Sequence, residues 1–183
     1  PQNQYSLGGN IVNVIYEDSS GNLWIGTDGG LNKYIGSRDS FERYRYISGD
    51  PTSISSDHVL AILEGDNHVL WIGTDGGGLN KFNTVTGKFQ RFTNVPEDPL
   101  SLSNDIVWSL AKDQEGMLWI GTRAGGVNRF DPKTGAATVY RYSENNRYSL
   151  SSDAIHAIFI DSNNVLWVGT DGGGPNSQFG TPH

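Results

Sequence analysis

A chain of 183 residues with 36% hydrophobic content is long enough for one core and short for two separate domains. A net charge of -7 without a basic cluster argues against nucleic acid, whose binding depends on Lys and Arg neutralising phosphates, and leaves cations, sugars or basic partners as the better fit. Cysteine is absent, which excludes disulfides, thiolate nucleophiles and thiolate metal sites; no run approaches the roughly 18 apolar residues of a membrane helix, and "PQNQYSLGGN" lacks the basic and apolar regions of a signal peptide.

In chain order, "YSLGGNIV" from Tyr5 reads as a connector entering a strand, and "LWIGTDGGLNKY" follows from Leu23. After the link "SGDPTSISSD" from Ser48, the second unit gives four strand signals in full. They are "HVLAILEG" from His58, "VLWIGT" from Val69, "LNKF" from Leu79 and "FQRF" from Phe89, labelled A to D. The link "PEDPLSLSND" from Pro96 opens a third unit containing "LWIGTRAGGVNRF" from Leu118. A fourth begins at Asp153 and reaches "LWVGTDGGGPNSQFG" from Leu166. The Leu-Trp pair therefore recurs at Leu23, Leu70, Leu118 and Leu166 with spacings of 47, 48 and 48 residues, the size of one propeller blade.

The joints carry matching turn chemistry. Between A and B lie "EDSSGN" from Glu17, "EGDNH" from Glu64, "KDQEG" from Lys112 and "DSNN" from Asp161, where Gly or Asn can supply the positive φ of a tight hairpin. "NTVTGK" from Asn83 and "DPKTGA" from Asp131 do the same between C and D. No stretch has a helical period, so an all-β meander is expected. Trp beside Leu in strand B suits a middle strand covered on both faces, as stacked blades require. The Gly and Thr that close each "LWIGT" read as packing and turn geometry, with no functional motif of their own.

The Ser-rich link, the Val or Ile strand, the Gly or Asn turn, "LWIGT" and "GGLN" plus an aromatic together resemble the two-component regulator propeller repeat, from about Tyr5 to Gly174. The resemblance implies a β-propeller from the extracytoplasmic, periplasmic or extracellular sensor part of bacterial hybrid histidine kinases. It also implies a role in sensing ligands, commonly glycans. It brings no fixed catalytic set.

The expected fold is thus all-β, a β-propeller segment of four-stranded blades with three complete blades and a partial fourth. The blades span about 10–56, 57–104 and 105–152, with a partial blade at 153–174 and an irregular tail at 175–183. Pro175 falls where the fourth strand C should begin, so that blade is expected to stop at two strands, as a truncated piece would. An arc leaves apolar blade faces in water. A homodimer is therefore expected, two arcs completing one ring of seven or eight blades.

In propellers the D to A links and B to C loops share one face. Asn10, Asp57, Asp105 and Asp153 occupy equivalent positions at the entry of strand A, and Asp28, Asp75 and Asp171 lie in the B to C loops with Arg123 in the third. Together they would form an acidic rim able to attract cations or hydrogen-bond a polyol; alternatively, these residues cap turns by bonding nearby backbone amides. His58 follows Asp57, and His156 stands where the other units have Asn13, Leu60 and Trp108. His58, His156, Asp57, Asp105 and Asp153 could hold a divalent metal such as Zn²⁺ or Ca²⁺ and activate water, or the histidines could simply line a channel. "GTDGGG" leads into a strand and so lacks the helix N-terminus of a phosphate loop, and "DSSGN" is too short for a calcium loop. Trp108, Tyr142 and Tyr148 could stack on sugars or pack between blades.

Three functions remain open on sequence. The first is a ligand-sensing segment that binds a glycan, another small polar ligand or a cation at the acidic rim. The second is a metal-dependent hydrolase of esters or phosphoesters with a His/Asp site. The third is a scaffold without ligand.

Overall fold

In the computed structural model, residues 5–172 are described in full and residues 174–179 by their backbone. The described residues form fifteen strands and one short 3-10 turn at Gly36–Arg38. The first blade holds β1 (Val12–Glu17), β2 (Leu23–Thr27), β3 (Gly30–Ile35) and β4 (Ser40–Tyr44), and the second β5 (Val59–Glu64), β6 (Val69–Thr74), β7 (Leu79–Asn83) and β8 (Lys88–Phe92). The third holds β9 (Val107–Lys112), β10 (Leu118–Thr122), β11 (Val127–Phe130) and β12 (Ala137–Tyr140), and the fourth β13 (Ile155–Ile160), β14 (Leu166–Thr170) and β15 (Gly174–Phe179). Each sheet is a meander in which sequence neighbours pair. The contacts divide into two compact units, Pro1–Arg91 and Phe92–His183.

The fourth blade departs from the sequence expectation. Instead of an irregular tail from Pro175, the backbone continues into β15, which pairs antiparallel with β14 and sets Pro175 opposite Gly169. Among the described residues β15 is an edge strand, one of the places in a sheet where the missing N–H of proline is tolerated.

The hairpin turns use the residues that tolerate positive φ. Between strands A and B these are Gly21, Asn67 with His68, Gly116 and Asn164; Gly87 and Gly135 serve between C and D. Strand B is the most deeply buried: every residue of β6 is buried, and Leu70, Trp71 and Ile72 are at most 2% exposed. Burying each such side chain contributes about 1.5–3 kcal/mol.

Within the first unit, Trp24 of β2 joins Val59, Ile62, Ile72 and Phe82 in one core, with the Trp24 and Phe82 rings edge to face at 5.6 Å. Within the second, Trp119, Ile155, Leu166 and Val168 form the corresponding core. Glycine sets how closely the blades approach. A Cβ on Gly26 would lie 2.5 Å from Cγ1 of Val59, and one on Gly121 would lie 2.7 Å from Cγ2 of Ile155, distances no methyl group occupies. The glycine of "LWIGT" is therefore a notch that receives the first side chain of strand A in the next blade.

Polar side chains fix the links onto the sheets. In each complete blade the link that feeds strand A also caps strand D: Phe41, Phe89 and Ala137 donate their N–H groups to the carbonyls of Tyr5, Thr52 and Leu100 at 2.9, 2.8 and 2.7 Å. A fully buried asparagine in strand C clamps the same link. Asn80 accepts from the Ser55 N–H at 3.0 Å and donates to its hydroxyl at 2.7 Å, and Asn128 does the same with Ser103 at 2.9 and 2.8 Å. In the first blade Asn32 accepts from the Gly8 N–H at 2.8 Å.

At the A to B turns an aspartate holds the strand B tryptophan. The indole N–H of Trp24, Trp119 and Trp167 donates to Asp18, Asp113 and Asp161 at 2.8, 2.9 and 3.1 Å. Partial burial works against ionisation of Asp18, but the hydrogen bonds from Trp24, Asn22 and Ser20 outweigh it and hold the carboxyl below the ordinary aspartate range. The second blade has Gly65 at this position, and the ring of Trp71 lies within 2.8 Å of where its Cβ would be.

Two outcomes are expected. Asn80→Ala leaves buried partners unpaired and lowers stability by about 1–3 kcal/mol in urea titration, with the circular dichroism of the folded state unchanged. A carboxyl held low in the folded state adds stability that is present above its unfolded value near ~3.9 and lost as pH falls through the folded value. The stability gap between wild type and Asp18→Asn, read from melts across an acid series, therefore shrinks as the pH drops below about 4.

Candidate functional site

Each blade brings its strand A entry beside its own B to C turn. The backbone N–H groups of Asp28, Asp75, Arg123 and Asp171 donate to the carbonyls of Ile11, His58, Ile106 and Ala154 at 2.9–3.1 Å. The predicted rim residues thus share one end of every blade, although their side chains have different tasks.

Asp57, Asp105 and Asp153 are latches. Their Oδ1 atoms accept the backbone N–H of Tyr46, Asn94 and Tyr142, just beyond strand D of the preceding repeat, at 2.7, 2.6 and 2.7 Å. The carbonyls of Asp57 and Asp153 also accept from Gly30 and Gly126 at 2.7 and 2.9 Å. These carboxylates bond backbone amides, the simpler of the two roles their residue type allows. Asn10, at the equivalent place in the first blade, is exposed, and Asp28 accepts from the adjacent Ile11 N–H at 3.2 Å.

The two histidines each meet the aspartate of their own B to C turn. His58 Nδ1 lies 3.4 Å from Asp75 Oδ2 in the first unit, and His156 Nε2 lies 3.9 Å from Asp171 Oδ2 in the second. Arg123 is exposed at the matching turn of the third blade. Among the described residues, no group of three or more His, Cys, Asp or Glu side chains is placed to hold a metal ion. Within the first unit His58 meets Asp75 while Asp57 bonds a backbone amide, and within the second His156 meets Asp171 while Asp105 and Asp153 bond backbone amides.

A feature that sequence reasoning missed unites the positions it singled out. Strand A carries a β-bulge in every blade. The register runs from Val12 opposite Thr27 to Val14 opposite Gly26, from Val59 opposite Thr74 to Ala61 opposite Gly73, from Val107 opposite Thr122 to Ser109 opposite Gly121, and from Ile155 opposite Thr170 to Ala157 opposite Gly169. The residue skipped each time is Asn13, Leu60, Trp108 or His156. A bulge releases one residue from ladder pairing and re-aims its side chain, and bulges are over-represented beside active sites. In the second unit, two such residues meet: the rings of Trp108 and His156 stack at 4.3 Å and 16°. His156 is 55% exposed and Asp171 is 74% exposed, so the stack and its carboxylate face water. Tyr142 and Tyr148 are also exposed, and Tyr148 lies under the Arg147 guanidinium at 5.0 Å.

Comparison with known proteins follows the same repeat. The two component regulator propeller model matches residues 6–29, 53–76, 101–124 and 149–172. Histidine kinase P4 of Formosa agariphila is 40% identical over 81 residues, which are 42% of this chain and 6% of that protein. Among solved structures, the extracellular domain of a putative hybrid two component system from B. thetaiotaomicron superposes with a TM-score of 0.82 at 29% identity, covering 94% of this chain and 24% of that one. The extracellular domain of a putative one component system from the same organism gives 0.76 at 26%, covering 94% and 22%. The WD40 beta propeller domain of Doa1, at 13% identity and a TM-score of 0.67, shares the fold. The chain thus spans about a quarter or less of the first relatives it matches. No helix among the described residues is long and apolar enough to cross a membrane.

Removing a latch separates the two roles considered for the aspartates. Asp153→Ala is expected to lower stability by about 1–3 kcal/mol in urea titration, whereas a chelator leaves the wild-type midpoint where it was.

Proposed function

The chain belongs to the two component regulator propeller family, and from that premise we propose that it is a ligand-recognising segment of an extracytoplasmic sensor, with a glycan or similar polyhydroxylated solute as its ligand. The observation that carries this reading is the bulge. All four blades place a residue freed from ladder pairing at the same end of strand A, and all four residues differ. The pairing around them repeats, so variation is concentrated where the sheet tolerates it.

The second unit supplies the chemistry. A sugar ring has an apolar face of C–H groups and a rim of hydroxyls. The exposed imidazole of His156, backed by the indole of Trp108, offers a flat surface to the first, and the Asp171 carboxylate accepts from the second. Extracellular domains of two-component systems among the structural relatives support an extracytoplasmic setting. Within such a receptor this segment recognises the solute, and signalling belongs to other parts of the protein.

Calorimetry against a panel of neutral and acidic oligosaccharides tests the reading. One or more members are expected to bind, and His156→Ala and Trp108→Ala each to weaken that binding by about tenfold or more with unchanged melting. Binding that survives both substitutions at full strength, or no binding across the panel, rules the proposal out.

A further inference from the structure

The first residue of the B to C turn is an aspartate in three blades, Asp28, Asp75 and Asp171, and an arginine, Arg123, in the third. The three carboxylates are engaged within their own blades: Asp28 accepts the Ile11 N–H at 3.2 Å, and Asp75 and Asp171 face His58 and His156 at 3.4 and 3.9 Å. A guanidinium only donates, so it can take over none of these acceptor roles. The turn itself is kept, because the Arg123 N–H reaches the Ile106 carbonyl at 3.0 Å as its counterparts do in the other blades. Charge is thus reversed at a fixed place in the blade.

The other arginines of the second unit are occupied. Arg129 pairs with Glu115, Arg141 lies 3.8 Å from Asp153, and Arg147 lies over the Tyr148 ring. Arg123 is exposed, and among the described residues no carboxylate, hydrogen-bond acceptor or aromatic ring engages its guanidinium. It belongs to an interior repeat, so this exposure does not come from an end of the chain. Arg123 directly follows Thr122, the ladder partner of Val107, and Val107 immediately precedes Trp108. The arginine, the indole stacked on His156 and the Asp171 turn are therefore gathered at one end of β9 and β13. The first unit has no such flat pair, since Asn13 and Leu60 stand at its bulges.

We propose that Arg123 makes this end of the second unit selective for acidic sugars, its guanidinium binding a carboxylate or sulfate substituent of a ring that rests on the Trp108 and His156 stack. The inference rests on the glycan reading of that site and adds the charge of the ligand. Both anions offer a pair of oxygens to the forked N–H groups of arginine, a bidentate and charge-assisted contact that lysine does not reproduce. The same charges set the orientation: the anion turns to Arg123, and neutral hydroxyls turn to Asp171, where a second negative charge is unfavourable. A chain of net charge -7 repels anions at long range, so the preference comes from this local contact.

Calorimetry at low salt on two matched pairs tests this: an oligogalacturonate with its methyl ester, and a sulfated galactan oligosaccharide with its desulfated form. In at least one pair the acidic member is expected to bind about tenfold or more tightly than its neutral counterpart, the first pair marking a carboxylate and the second a sulfate. Arg123→Asp installs the residue that the other three blades carry, so the turn is expected to keep its fold, with circular dichroism as the check. This variant is expected to abolish the acidic preference while affinity for the neutral member stays within about twofold, and Arg123→Lys to retain only part of the preference. A preference in neither pair, a preference that survives Arg123→Asp, or a loss of neutral and acidic binding alike overturns the inference. Acidic and neutral members that bind equally well overturn it and leave the glycan reading standing. No binding by any of the four also overturns it, and no binding across the wider oligosaccharide panel removes the glycan reading as well.

Discussion

The close approach of neighbouring blades at the glycine of "LWIGT" is the constraint from which the other features follow. A sheet face can be apolar on both sides only if another sheet covers it, and here the cover comes so near that Gly26 and Gly121 leave no space for a methyl group. With the notch filled by Val59 or Ile155, the neighbouring Trp24 or Trp119 is sealed from water. The tryptophan then needs a partner for its buried N–H, and the A to B turn supplies an aspartate. The second blade shows the alternative packing: with Gly65 in place of that aspartate, the ring of Trp71 closes over the position its side chain would occupy.

A packed seam orients blades but does not hold the long polar links that join them. That task falls to hydrogen bonds in the interior, where an unpaired group is costly. Asn80 and Asn128, both fully buried, use their amide oxygen and nitrogen on a single serine of the link. Asp57, Asp105 and Asp153 tie the exit of one repeat to the entry of the next strand A. Hydrophobic contact therefore sets the distance between blades within each unit, while a small set of polar groups sets the path of the chain.

Much of this was legible in the sequence because repetition multiplies weak signals. Four copies of "LWxGT", with turn residues at fixed offsets, identified the strands and hairpins, and the Gly or Asn turn positions do carry positive φ. At the end of the fourth blade Pro175 reads as a strand breaker, whereas an edge strand such as β15 accepts proline. The asparagine of "GGLN" was visible in the pattern but had no assigned role, since its partner serine lies 25 residues away in sequence. The bulges were hidden for a different reason. An extra residue inside a strand leaves both flanking stretches apolar, and only the cross-strand register exposes the slip.

That slip bears directly on how such a repeat can acquire specificity. A residue in regular register is constrained twice, by its ladder bonds and by the face it must cover, so changing it disturbs both. The bulged residue escapes the first constraint, and its side chain reaches instead to the next blade, as Asn13 does in donating to the Val59 carbonyl at 2.9 Å and Trp108 in stacking on His156. Asn13, Leu60, Trp108 and His156 are a polar amide, an aliphatic chain, an indole and an imidazole at one repeat position, a range that the packed positions of the same strands do not show. The first residue of strand A is nearly uniform, as Val12, Val59, Val107 and Ile155, while the bulge directly after it varies, so chemical recognition can be written there with the residue at the head of the strand unchanged.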